Sequence, residues 1–173
     1  LPRWHFAMLA DRRRNRAFRA AIEKVVKPGS QVLDIGTGSG LLAMMAARAG
    51  AARVTACEVS PPTAAMAETI VAQNGLSGVV TVVAKKSNNL VLGDDFEKPA
   101  DVIIAEIFDL GLIREGALPT LRHAIHHLAA ANATLIPRAA TVKGVLVELP
   151  ELRSVNPVKD IEGFDLSPFD AFR

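Results

Sequence analysis

Apolar and polar positions change period several times along the chain, and those changes mark its elements. Between residues 17 and 26 the apolar side chains Ala17, Phe18, Ala21, Ile22 and Val25 recur at helical spacing, and Lys27-Pro28-Gly29 ends the pattern. Gln31-Val32-Leu33-Asp34-Ile35 is a short apolar run of strand type, followed by glycines and then by helix-forming residues 41–49. A second strand is predicted over 53–58. A helix follows over about 61–74, with Pro61 suited to its first turn and Gly75 to its end. Residues 79–84 and 102–105 read as two further buried strands, and 117–130 as a helix with Leu118, Leu121, Ile125 and Leu128 on one face. After Thr134-Leu135-Ile136-Pro137, residues 141–149 alternate as one more strand. Residues 150–173 have three prolines and no regular period, and their Ile161, Phe164, Leu166, Phe169 and Phe172 are apolar with nothing left in the chain to cover them.

Strands alternating with helices predict an α/β fold with a doubly wound, mostly parallel sheet, because a right-handed crossover lays each helix back on the sheet. Ligands of such sheets sit outside the carboxyl ends of the strands. A chain of 173 residues, 50% hydrophobic, is long enough for one ordinary core. Its 20 basic and 18 acidic residues nearly balance, which argues against a dedicated nucleic-acid binder. Cys57 is the only cysteine, so no internal disulfide forms; it reads as a small buried strand residue in a reducing compartment. No run approaches the roughly 20 apolar residues that cross a bilayer, and no signal peptide opens the chain, so the expectation is no membrane association and a cytoplasmic location.

The chemistry begins where the first strand runs into Gly36-Thr37-Gly38-Ser39-Gly40, a strand, glycine turn and helix arrangement that brings backbone close to a bound nucleotide. The third glycine falls at Gly40, and Leu41 stands where a dinucleotide fingerprint would have it, which disfavours pyrophosphate. Asp34, two positions before the first glycine, suits a ligand with a cationic amino acid moiety, or else caps the turn. Glu58 closes the second strand some twenty residues on, where a carboxylate accepts hydrogen bonds from both ribose hydroxyls; without the glycine loop it would read as a solvated loop charge. Together, Val32-Leu33-Asp34-Ile35-Gly36-Thr37-Gly38-Ser39-Gly40 and Glu58 resemble the class I S-adenosylmethionine-dependent methyltransferases, over residues 31–137.

Directly after the fourth strand, Ala105-Glu106-Ile107-Phe108-Asp109-Leu110-Gly111-Leu112-Ile113-Arg114-Glu115-Gly116 places three carboxylates in one loop. Two carboxylates flanking a planar guanidinium each take paired N–H donors, fix its plane and draw positive charge away from the attacking nitrogen. The alternative is that they are solvated loop charges, with Glu115 favoured by the dipole of the helix starting near Ala117. Here the resemblance narrows to the protein arginine methyltransferases, whose double-E loop is matched by Glu106 and Glu115. The wider segment is most similar to the type III, monomethylating branch and its bacterial relatives, with Asp109 as a third acid restricting room for a second methyl.

That resemblance implies Glu106, Glu115 and Asp109 as catalytic residues and no metal. It implies S-adenosylmethionine as cofactor, leaving as S-adenosylhomocysteine, bound by Arg14, Asp34, Gly36, Thr37, Gly38, Gly40, Leu41, Glu58, Val59, Lys86, Ser87 and Glu106. His5-Phe6-Ala7-Met8-Leu9-Ala10-Asp11 with Arg14 and Asn15 is similar to the family's first helix, which folds over the cofactor. Arg14 matches the arginine that pairs with the cofactor carboxylate; otherwise it belongs to a solvated basic face with Arg12 and Arg13. Met8 matches a pocket methionine, and Lys86, Ser87 and Asn88 fall where the family contacts adenine. The implied division is a cofactor-covering segment (1–16), a Rossmann-like cofactor domain (17–140) and the incomplete start of a β-barrel substrate domain (141–173). The implied partner is an arginine-bearing protein or peptide, with a homodimer if the barrel arm is present. His123, His126 and His127 are expected to be solvated or packed and to supply no base. The chain departs from the family in having no tyrosine, with Trp4 and His5 the nearest substitutes, and in stopping at Arg173 before a Thr-His-Trp loop. Two rivals stand beside this reading: a class I methyltransferase acting on a ribosomal protein or a small amine, and a non-catalytic cofactor-binding scaffold.

Overall fold

The computed structural model describes residues 4–109, 111–112, 116–151 and 160–172. They fall into two compact units, Leu1–Val142 and Lys143–Arg173. Among the described residues of the first unit, five strands form one sheet: β1 (Gln31–Ile35), β2 (Arg53–Cys57), β3 (Val80–Val83), β4 (Ala100–Ala105) and β5 (Ala129–Ile136). All pair in parallel, in the order β3-β2-β1-β4-β5. The helices are α1 (Trp4–Ala10), α2 (Arg12–Val25), α3 (Leu41–Arg48), α4 (Pro61–Gln73) and α5 (Ala117–His127), with a 3-10 turn at Ser87–Asn89. The strand order reverses between β1 and β4, so the crevice for a ligand lies outside their carboxyl ends.

Side chains alternate across each strand, so neighbours belong to different cores. Val32, Val54, Val102 and Ile104 pack with Ile22 of α2, Leu42, Ala43 and Ala46 of α3, and Val71 of α4. Leu33, Ile35, Ile103 and Ala105 face the other way, toward Ala124 of α5 and Leu128 just after it. Because both faces are covered, the strands read as continuous apolar runs.

The helix predicted to start at Ala17 starts at Arg12. Asp11 caps it, its side chain accepting from the Arg14 backbone N–H at 3.0 Å. The run Arg12-Arg13-Arg14-Asn15-Arg16 has good helix formers but no apolar residue to show periodicity, which hid this turn.

Three expectations are corrected at the C-terminal side. The helix predicted to reach residue 130 ends at His127, and β5 begins at Ala129. Its inner face is also rotated: Leu118 and Ile125 are 61% and 48% exposed, whereas Ala117, Thr120 and Ala124 are buried. Small side chains let the helix approach the sheet closely, and only Leu121 and Leu128 of the predicted stripe join the packing. Residues 141–149 form no strand, because alternation makes a strand only where a neighbour pairs with it; Val145 and Leu146 stand 83% and 101% exposed. In the second unit, β6 (Asp160–Ile161) and β7 (Phe164–Asp165) make a short antiparallel hairpin, regular structure that its sequence did not announce. Ile161, Phe164 and Leu166 are exposed there, as expected.

Candidate active site

At the end of β1 the backbone N–H groups of Gly36 and Thr37 both donate to the carbonyl of Cys57, at 2.9 and 3.1 Å, tying the glycine turn to the end of β2. Gly36 has φ +72°, and a Cβ there would stand 2.6 Å from Cγ2 of Ile107. Glycine is needed at this point because the turn after β1 packs directly on the loop after β4. Gly40 closes the turn, donating to the Thr37 carbonyl at 2.9 Å and starting α3.

Glu58 is held from both sides: the Gly38 N–H donates to its Oε2 at 3.1 Å and the Ser60 N–H to its Oε1 at 3.0 Å. A carboxylate has about four acceptor positions, so each oxygen keeps capacity for another donor. One residue past β4, Oε2 of Glu106 pairs with Nη2 of Arg14 at 2.9 Å. The same guanidinium donates from Nη1 to Asn15 Oδ1 at 2.9 Å and lies over the Phe18 ring, 5.0 Å from its centroid.

These groups surround one cavity of about 410 Å³, within the usual range for small-molecule sites. Of the residues expected from sequence, Arg14, Gly36, Thr37, Gly38, Leu41, Glu58, Val59, Lys86, Ser87 and Glu106 line it, joined by His5 and Met8 of α1. The glycine turn and the acid after β4 therefore open onto common space. Glu115 lies outside the described residues. Asp109 is half-buried in the loop after β4, its carbonyl accepting from the Leu112 N–H at 3.1 Å, and it is not part of the lining. Lys85, Ile107 and Thr120 were missed. For Thr120 the signal was a lone polar side chain on the small-residue face that α5 turns inward.

Asp34 requires a correction. It shares its strand face with Val32 and is buried beneath the turn, 1% exposed, rather than lining the cavity. Oδ2 accepts from the Thr37 hydroxyl at 2.7 Å, and the Ala43 backbone N–H donates to the same carboxylate. A carboxylate engaged in this way braces the turn from below. Burial outweighs these donors and pushes its carboxyl up to about 6. Between about pH 4 and pH 6 the folded state then binds more protons at Asp34 than the unfolded state, so its contribution to stability falls as pH rises. Urea titrations of wild type and Asp34→Asn should show the wild type losing on the order of 3 kcal/mol relative to the variant from pH 4 to pH 7. A constant difference would contradict the assignment.

Cys57 is buried, and that burial pushes its thiol up to about 12, so it is packing rather than a nucleophile. His126 and His127 are exposed and His123 half-buried, none in the cavity. The donor set fits S-adenosylmethionine: a strand-end carboxylate with spare acceptor capacity, glycine backbone without side chains, and a cation beside a second carboxylate.

Residues 19–133 match the family model described as Ribosomal protein L11 methyltransferase (PrmA). The chain is 48% identical over 167 residues to an Arginine N(omega)-methyltransferase of Streptomyces achromogenes subsp. streptozoticus, a match covering 96% of this chain and 46% of that protein. It is 46% identical over 150 residues to Protein arginine N-methyltransferase 7 of Oryza sativa subsp. indica, covering 82% of this chain and 21% of that one. Its fold is similar to that in the Trypanosoma brucei PRMT1 enzyme-prozyme heterotetrameric complex with AdoHcy, with TM-score 0.80 and 28% identity over 98% of this chain and 53% of that chain. The chain thus spans about half the length, or less, of the relatives it matches. On the family match across the sheet and the glycine turn, the chain belongs to the class I S-adenosylmethionine-dependent methyltransferases, among which its relatives are arginine methyltransferases.

Proposed function

We propose that this chain carries the cofactor site and catalytic loop of an enzyme that transfers a methyl group from S-adenosylmethionine to a guanidino nitrogen of protein arginine. The observation that carries this reading is the ion pair of Glu106 with Arg14 in the same cavity as the glycine turn and Glu58. Arg14 itself demonstrates that the Glu106 carboxylate accepts a guanidinium at 2.9 Å. In this reading Glu58 takes the ribose hydroxyls and Arg14 the cofactor carboxylate, while Lys86 and Ser87 border the adenine. Gly36 and Gly38 let the backbone approach; Leu41 and Val59 are walls; Asp34, Thr37 and Gly40 hold the turn in shape.

The bound cofactor supplies an electrophilic methyl on a sulfonium. A guanidinium has a pKa above about 12 and is a poor nucleophile, so the protein's share is alignment at about 3 Å and management of charge. Glu106, together with Glu115, fixes the guanidinium plane and draws its charge toward the nitrogens that do not react. The remaining nitrogen would be the one left free to take the methyl that bound S-adenosylmethionine would supply, giving up a proton to solvent. Asp109, beside the cavity rather than in its lining, is the acid that would limit the reaction to monomethylarginine, by restricting the room beyond Glu106. Residues 1–16 act as the cover, 17–140 as the cofactor domain and 141–173 as the start of a substrate domain; the enzyme self-associates as a homodimer where the barrel arm is present, and works in the cytoplasm. Among the described residues no helix is long and apolar enough to cross a membrane.

A second acceptor, free arginine, is favoured by one observation: the 48% identical relative is named for arginine without reference to protein. Incubation with radiolabelled S-adenosylmethionine, an arginine-rich peptide and free arginine in parallel separates the two, with mass spectrometry of the product. Label in peptide as monomethylarginine is the expected outcome. Label in free arginine alone selects the second reading, and label in neither contradicts both.

A further inference from the structure

We infer that Asn15 is a positioning residue that joins the cover of the cavity to the cation inside it. Asn15 sits half-buried in the first turn of α2 and uses both ends of its amide. Nδ2 donates to the Leu9 carbonyl in the last turn of α1 at 2.8 Å, and Oδ1 accepts from Arg14 Nη1 at 2.9 Å. A guanidinium only donates and a carbonyl only accepts, so the amide has one orientation that satisfies both.

The two contacts link parts with different tasks. His5, Met8 and Leu9 make α1 one wall of the cavity, and a single residue, Asp11, separates α1 from α2. Arg14 faces the same space and holds Glu106 through Nη2. Its buried Nε has no hydrogen-bond partner among the described residues, so its orientation depends on Glu106, Asn15 and the Phe18 ring. Moving α1 outward withdraws the acceptor of Nδ2, and an amide that turns to follow it takes Oδ1 away from Arg14. Closing α1 and aiming Arg14 at Glu106 are thereby one event. This inference rests on the reading of Arg14 and Glu106 as cofactor and acceptor residues.

Calorimetric titration of the full chain with S-adenosylhomocysteine, on wild type, Asn15→Ala, Asn15→Asp, Arg14→Ala and the Arg14→Ala/Asn15→Ala double variant, tests it. Asn15→Ala should bind about tenfold more weakly, the scale of one charge-assisted hydrogen bond. In the Arg14→Ala background the same change should cost less than about twofold, because a residue acting through Arg14 is non-additive with it. Asn15→Asp keeps the acceptor for Arg14 but has no donor for Leu9; it should bind more tightly than Asn15→Ala, while amide exchange across residues 4–10 rises in both. Additive losses, or Asn15→Ala binding as wild type does, would overturn the inference and leave the proposed function standing. Wild type that fails to bind S-adenosylhomocysteine would overturn both.

Discussion

Replacing Glu106 by Gln should lower methyl transfer by about a thousandfold while affinity for S-adenosylhomocysteine changes only a few-fold, an effect of the size seen when one preorganised polar group at a reacting centre is removed. The amide has the shape of the carboxylate and one oxygen to accept from Arg14 Nη2, so the cavity wall and the 2.9 Å contact survive in neutral form. What is lost is the negative charge. A substrate guanidinium then meets a group that can offer it an NH₂ donor as readily as an acceptor, and the pull on its positive charge goes with the carboxylate. Single-turnover rates with saturating acceptor, set beside calorimetric cofactor affinity, separate these effects. Equal losses in both would mean that Glu106 serves the cofactor and not the chemistry.

The second large effect is expected at Gly36. Gly36→Ala carries two penalties: a side chain forced to φ +72°, and a Cβ placed 2.6 Å from Ile107 Cγ2. The first costs roughly 1–2 kcal/mol and the second, an overpacking of a β-branched side chain with little room to yield, about 1–3 kcal/mol more. A protein of this size should lose on the order of 10 °C in Tm. Ile107 follows Glu106 directly, so the displacement also moves the acid, and methyl transfer should fall further than stability alone explains. Gly38→Ala is the control. Its φ is also positive, +55°, but a Cβ there meets nothing within 4 Å, so only the backbone penalty applies and the Tm loss should be clearly smaller. Equal melting losses in the two variants would contradict the close approach of the two loops.

The parts of the site that could be read from sequence are those where position and residue type answer to backbone demands. A glycine turn at a strand end, a carboxylate closing the next strand and an acid after the strand across the switch point each occupy places fixed by topology, so Gly36, Glu58 and Glu106 stand where expected. Asp34 was legible as important but not in its direction, because strand alternation turns it toward α3 and under the turn. The inner face of α5 is not legible from side-chain size, because the small residues Ala117, Thr120 and Ala124 are what let the helix lie close. The same limit conceals Thr120 as a wall of the cavity. Residues 141–149 alternate without forming a strand, since periodicity says nothing about whether a pairing partner is at hand. Asn15 was legible only as part of the segment similar to the family's cofactor-covering helix; its two contacts exist only once α1 and α2 meet at Asp11.

Methyl transfer at this site requires the turn after β1 and the acid after β4 to face one ligand. A crystal structure of the protein with S-adenosylhomocysteine bound tests this directly. The expected result places the ribose at Glu58, the amino acid end at Arg14, and the sulfur on the side of the cavity walled by Glu106. A ligand bound elsewhere, or one whose sulfur points away from Glu106 so that no acceptor nitrogen could reach both, would contradict it.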